Sequence, residues 1–219
     1  QAGGAIVARM GGTMVLSTVC SSKEPKEGID YFPLQVNYTE KFYAAGRIPG
    51  GFLKREGRPK DREILTCRLT DRPLRPLFDD GFRNEVQILP TVISADLIHR
   101  PDILAMNASS AALMISPIPF NGPVGAVRVG LAAGTTDEFI LNPTIEQLAA
   151  SPLDVIVAGT KTAILMIEGL SKEVSEETMV GACKFAHEKI KEVCVLQEKL
   201  RDLVGKPKLV FPVFKKNEE

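Results

Sequence analysis

The sequence predicts an α+β fold, a mixed or antiparallel sheet packed with helices, and three features carry that reading. Short β-rich runs arrive in pairs joined by tight turns, a helix of small residues lies mid-chain, and a long amphipathic helix closes the pattern. The chain has 219 residues, 44% hydrophobic and 25% charged, enough for one large domain or two small ones with a proper core.

The chain opens in sheet. Ala5 to Arg9 and Thr13 to Cys20 are β-rich runs separated by Met10-Gly11-Gly12, the pattern of a tight hairpin. Phe32 to Thr39 alternates apolar and polar side chains, the period of a half-buried strand. Asp61 is placed to cap a helix at Arg62 to Leu69, which Pro73 must end or kink because proline lacks a backbone donor. Glu85 to Ser94 reads as strand, and Asp102 to Ser116 as a small-residue helix lying close on a sheet. Val124 to Leu131 and Phe139 to Leu141 form a strand pair, and Asn142-Pro143 opens a short helix to Ala150. Val155 to Ala158 and Ala163 to Glu168 make a second hairpin through Gly159-Thr160-Lys161. Ser175 caps the long helix, with Glu176 and Glu177 in its first turn, and Gly205 and Pro207 stop it. The expected division is a core domain over 1–205 and a charged, proline-bearing linker over 206–219.

Bulk properties exclude several function classes. Twenty-seven basic residues balance 27 acidic ones, so a polyanion site must be local and not a property of the whole surface. Cys20, Cys67, Cys183 and Cys194 have no CxxC spacing and the chain has two histidines in all, His99 and His187, which suggests reduced thiols and neither zinc nor a disulfide framework. The longest uncharged stretch, Ile103 to Val127, is broken by Pro117, Pro119 and Pro123 short of the ~20 apolar residues a membrane helix needs. The chain opens on QAGGAIVARMGG without an initiator methionine and shows no signal peptide, as expected of a chain that starts inside a longer protein.

The local charge lies between Gly46 and Phe78. Arg47 to Arg75 holds nine basic residues against four acidic ones, in a glycine-proline loop followed by an arginine-bearing helix. At helical spacing Arg68, Arg72 and Arg75 project from one face, and guanidinium forks suit phosphate oxygens. The preceding loop, Gly50 to Arg58, sets Phe52 and Leu53 beside Lys54 and Arg55, with Arg58 following. That combination suits single-stranded nucleic acid, whose bases stack on an aromatic ring while cations meet the backbone. The spacing is equally compatible with surface ion pairs to Asp71, Glu63 and Glu56 and with Phe52 in the core. No P-loop or GxGxxG fingerprint is present, and Gly122-Pro123-Val124-Gly125 lacks the lysine and hydroxyl such a loop requires. His187, on one side of the long final helix with Val180, Cys183 and Ala186, reads as core packing, His99 reads as a solvated loop residue, and Ser109-Ser110 reads as close helix packing.

These residues bear a specific resemblance. YFPLQVNYTEKFYAAGRIPGGF, FLKREGRP, LTDRPLRPLF, GFRNEVQIL, IPFNGPVGAVRVG, LNPTIEQL and LDVIVAGT, spread over nearly the whole chain, resemble the first ribonuclease PH-like core domain of the polynucleotide phosphorylase family. The resemblance implies a ribonuclease PH-like (ribosomal protein S5 domain 2-like) fold. It implies a phosphate-dependent 3′-5′ exoribonuclease and nucleotidyltransferase that releases nucleoside diphosphates from single-stranded RNA, with inorganic phosphate as co-substrate. The implied assembly is a homotrimer in which this core is followed by a helical domain and a second core, with RNA-degradation partners and no membrane. Phe52, Lys54, Arg55 and Arg58 are the implied RNA-binding residues, and Arg68, Arg72 and Arg75 the implied phosphate or anion site. Leu53 and Lys54 stand where the common family version has a second phenylalanine and an arginine, which implies a weaker grip.

Chemistry is implied for the second core, where Mg2+ is bound by a motif like D-x-D-x-x-V-A-G. Here the matching segment is Pro152-Leu153-Asp154-Val155-Ile156-Val157-Ala158-Gly159, and Pro101-Asp102 stands where paired serines would hold phosphate. One carboxylate holds magnesium poorly and an aspartate repels phosphate, so this copy is expected to carry no catalytic residue and no metal. A bacterial cytoplasmic setting is implied, with mitochondria or plastids as alternatives. The competing reading is a non-catalytic RNA-binding subunit of an exosome-like ring.

Overall fold

Residues 2–25 and 28–211 are described in the computed structural model. Strands β1 (Gly4–Met10) and β2 (Thr13–Pro25) form the expected hairpin, with Gly11 in the left-handed region (φ 60°) supplying the turn. The central strand of the first sheet is β5 (Asn84–Ser94). It pairs antiparallel with β2 on one side, and parallel with β3 (Leu34–Val36) and β4 (Thr39–Glu40) on the other. The sheet is therefore mixed. The single strand expected over Phe32 to Thr39 is broken in two, because Tyr38 turns into the core and its amide donates to Cys67 Sγ at 3.2 Å instead of to a neighbouring strand.

Helix α1 (Asp61–Leu74) begins one residue before the expected start, and Asp61 is not its cap. Glu63 does that work by reaching back: its carboxylate accepts from the Lys60 amide at 2.8 Å and the Glu40 amide at 2.9 Å. Glu63→Ala should orphan both donors and cost about 1–2 kcal/mol, read as a lower urea midpoint at unchanged m. Pro73 falls within the last turn, where it removes one bond only, and the chain then tightens into a 3-10 turn over Arg75–Leu77.

Helix α2 (Pro101–Ile115) is the hub of the fold. Twelve of its fifteen residues are buried, since it packs against β1, β2 and β5 on one side and against the second sheet and the last helix on the other. Its small residues permit that: Gly4 of β1 lies so close that a β-carbon would run into the Ala112 carbonyl. The buried serines are satisfied, Ser109 by Ser17 and the Ala105 carbonyl, Ser110 by Gln197 and the Val124 amide.

The second sheet is antiparallel, ordered β7 (Phe139–Leu141), β6 (Gly125–Leu131), β8 (Leu153–Gly159), β9 (Ile164–Ser171), with α3 (Ile145–Ala150) before β8. Helix α4 (Glu176–Val204) is capped by Ser175, whose Oγ accepts from the Thr178 amide, and it buries a stripe of Ala182, Ala186, Ile190, Cys194 and Gln197. Alternation sorts β6 and β8 by face: Val127, Val129, Val155 and Val157 meet α4, whereas Ala126, Ile156 and Ala158 meet the α2 core. Arg128 shares the second face, and that placement governs the site below.

Beyond α4, residues 206–211 are tied to the core. The Lys206 amide donates to the Ile115 carbonyl, and the Lys208 ammonium donates to the Leu113, Met114 and Ser116 carbonyls at the C-terminus of α2. Phe211 packs edge-on against Phe82 at 4.6 Å. The remainder of the expected linker, 212–219, lies outside the described residues.

Candidate nucleic-acid interface

The loop between the 3-10 turn Phe42–Ala45 and α1 has a simple anchor. Glu56 accepts from the Lys41 ammonium at 2.6 Å and from the Phe42 amide at 3.1 Å, pinning the far side of the loop to its base. The hydrogen bond from Lys41, then that from Phe42, holds the Glu56 carboxyl below its ordinary value of 4.5. A depressed carboxyl contributes its tether above the unfolded value and loses it as pH falls through the folded one. Below pH 4.5 the protection of the Phe42 amide against hydrogen exchange, taken relative to the intrinsic rate at the same pH, should therefore fall, whereas Glu56→Gln should show no such pH step.

From this anchor the chain runs out to a turn at Gly51–Lys54, closed by the Lys54 amide on the Gly51 carbonyl at 3.0 Å. Phe52 and Leu53 occupy the two tip positions, and Phe52 is 100% exposed. The core alternative for Phe52 is thereby excluded. Lys54 sits in the left-handed region (φ 51°), while β-carbons at Gly50, Gly51 and Gly57 would meet nothing. Among the described residues, Arg47, Lys54, Arg55 and Arg58 have no carboxylate partner. A bare aromatic ring beside cations of this kind has the chemistry that base stacking and phosphate neutralisation call for.

The three arginines of the expected anion site divide. Arg75 makes a bidentate pair with Asp71 at 2.7 and 2.8 Å and donates to the Phe32 and Leu34 carbonyls, so it ties α1 to the segment leading into β3. Arg72 pairs with Glu168 of β9 at 2.7 Å with both side chains about half exposed, a pair weak enough for a phosphate to displace. Arg68 has no carboxylate partner among the described residues and shares a shallow surface depression with Leu65, Leu69, Arg72 and Glu168. The structure thus brings Arg68 and Arg72 to one surface depression, which Glu168 also lines, and commits Arg75 elsewhere.

A second charged cluster, centred on Arg128, escapes sequence reasoning. Arg128 on β6 lies diagonally across from Asp154 on β8 and under Asp102 in the first turn of α2. Its guanidinium donates to Asp102 at 2.8 Å and to both Asp154 oxygens at 2.9 Å. Arg100 approaches Asp102 at 3.4 Å, and the Asp102 carboxylate also accepts from the Ile103 amide. Burial pulls the Arg128 guanidinium down from its ordinary value while Asp102 and Asp154 pull it back, and it stays charged. The sequence signal was a lone charge in VGAVRVGL, immediately after the 25 uncharged residues from Ile103 to Val127.

The histidines take no part in this cluster. His187 faces the Thr160 carbonyl at 3.1 Å. His99 is not a solvated loop residue: Asp96 accepts from its amide and pairs with Nδ1 at 2.7 Å, closing the β1–β2 turn against the approach to α2.

Residues 1–119 match the profile of the 3′ exoribonuclease family, domain 1, and residues 122–189 match domain 2 of the same family. The chain belongs to the 3′ exoribonuclease family. The two matches meet in the turn between α2 and β6, where the first sheet gives way to the second. The chain is 56% identical over 209 residues to a polyribonucleotide nucleotidyltransferase of Treponema denticola, covering 95% of this chain and 30% of that protein. Relatives of the same name in Rhodospirillum centenum and Thermomicrobium roseum are 54% and 52% identical, over 97% and 100% of this chain. The chain spans roughly 30% of the length of these relatives. The fold resembles that of rice Rrp46 with a TM-score of 0.73 at 15% identity, covering 91% of this chain and 89% of that one. The ribonuclease PH-like α+β fold expected from the sequence is the one observed, and the resemblance to polynucleotide phosphorylases holds.

Magnesium does not fit this core. Among the described residues no three His, Cys, Asp or Glu side chains converge on one point, and Asp102 and Asp154 both already hold Arg128.

Proposed function

We propose that this chain is the RNA-holding first core of a polyribonucleotide nucleotidyltransferase, and that phosphorolysis takes place on a second core outside it. The observation that carries the reading is the loop tip: a fully exposed Phe52 flanked by Lys54, Arg55 and Arg58, which have no carboxylate partner among the described residues. In the complete reaction an oxygen of inorganic phosphate attacks the phosphorus of the last phosphodiester. The 3′-oxygen of the preceding nucleotide leaves, and a nucleoside diphosphate is released. This chain's residues supply positioning: Phe52 stacks a base, Lys54, Arg55 and Arg58 neutralise the backbone, and Arg68 with Arg72 offers a second anion contact. The ring of three chains and the Mg2+ of the second core belong to the same proposal. The Asp102–Arg128–Asp154 cluster supports a catalytically silent copy, because it leaves no free carboxylate to bind a metal.

The test is phosphate-dependent release of nucleoside diphosphates from single-stranded RNA by the intact protein. Release of monophosphates without phosphate would overturn the reaction class. Turnover that survives disabling of the second core would overturn the silence of this one.

A further inference from the structure

The Arg128 cluster has a property that RNA holding does not use. Two carboxylates from different elements, Asp102 at the start of α2 and Asp154 on β8, converge on one point of positive charge. That charge is 4% exposed, and Asp102 is 3% exposed. Among the described residues the Arg128 Nε finds no hydrogen-bond partner, and beside it lies a crevice bounded by Met10, Arg100, Ile103, Asn142 and Pro143. A carboxylate pair with one member buried, as Asp102 is here, needs a cation, and the protein supplies its own on a tether.

We propose that Arg128 masks a divalent-cation site: its guanidinium holds the place of a metal between Asp102 and Asp154 and closes the pair to ions from solution. This deepens the reading of a silent core, on which it rests for its biological meaning. Shortening the side chain leaves the buried Asp102 and the partly exposed Asp154 facing each other across the space the guanidinium filled. Hard divalent ions bind carboxylate oxygens and complete their shells with water, for which the emptied volume gives room. Protonation of one aspartate is the competing compensation, and a metal at millimolar concentration opposes it.

The experiment compares Arg128→Ala and Arg128→Met with the unaltered 219-residue chain. Mn2+ binding is read from the loss of the free-ion paramagnetic resonance signal, and melting is followed with Mn2+ or with K+ at equal ionic strength. The expected result is one Mn2+ bound by Arg128→Ala at least about tenfold more tightly than by the unaltered chain. Its melting temperature should rise in Mn2+ only, and both effects should vanish on adding Asp154→Asn. A folded Arg128→Ala that binds no more Mn2+ than the unaltered chain overturns the proposal. So does a variant that stays unfolded at every Mn2+ concentration, since the ion should replace the lost charge. These readouts are independent of the RNA-holding reading, which fails on its own if RNA affinity ignores Lys54 and Arg55.

Discussion

Asp102→Ala should lower the stability of the chain by about 3–5 kcal/mol, the cost of stranding a buried cation. Asp102 accepts from Arg128 at 2.8 Å and is 3% exposed, so water cannot take its place. Asp154→Ala should cost less, about 1–2 kcal/mol, because its side chain is 29% exposed and solvent can reach the freed side of the guanidinium. The double variant Asp102→Ala, Arg128→Met separates ion-pair loss from ordinary packing loss. Removing both charges together should recover most of the deficit, since an apolar replacement of a buried pair is often neutral. Urea unfolding with unchanged m would check all three. A double variant as unstable as the sum of the singles would show that the charges act independently.

Lys54→Ala combined with Arg55→Ala should weaken single-stranded RNA binding by the intact protein and flatten its salt dependence. Each phosphate neutralised on a single strand contributes about 0.7 to the slope of log affinity against log salt, so losing two should reduce the slope by about 1.4. Phe52→Ala should behave differently, costing about 1–3 kcal/mol of affinity at every salt concentration because stacking releases no counterions. Fluorescence anisotropy with a labelled oligoadenylate between 50 and 300 mM salt, about the range where the term is resolved, would distinguish them. Equal slopes for the double variant and the unaltered protein would remove the loop from the interface.

Most of the fold was legible because its signals are local. The Met10-Gly11-Gly12 turn, the Ser175 cap and the Gly205 and Pro207 stop each act within a few residues, and each matches an observed boundary. What escaped depends on partners distant in sequence. Glu63 caps α1 but also serves Glu40, 23 residues away, and Tyr38 leaves its strand for Cys67, 29 residues away. The candidate loop was legible as composition, but exposure of Phe52 is a tertiary fact, since the same ring between glycines suits a core as well. Of the three arginines expected on one face, Arg68 and Arg72 share a surface depression and Arg75 does not. Helical periodicity places Arg75 beside Arg72, yet Asp71 four residues earlier and the carbonyls of Phe32 and Leu34 decide where its guanidinium goes. Arg128 was missed because an apolar strand was read for its hydrophobic members, and the single charge within it was the informative residue.

The docking of residues 206–211 has a topological consequence. Lys206 Nζ reaches the Gly3 carbonyl at 2.7 Å, so the first strand and the segment after the last helix meet side by side at one pole of the molecule. A unit whose way in and way out adjoin can be strung in series or spliced into another chain without threading through its neighbours. It can equally be cut open elsewhere and rejoined there by a short connector, and the order of its elements could change while the two sheets stay as they are.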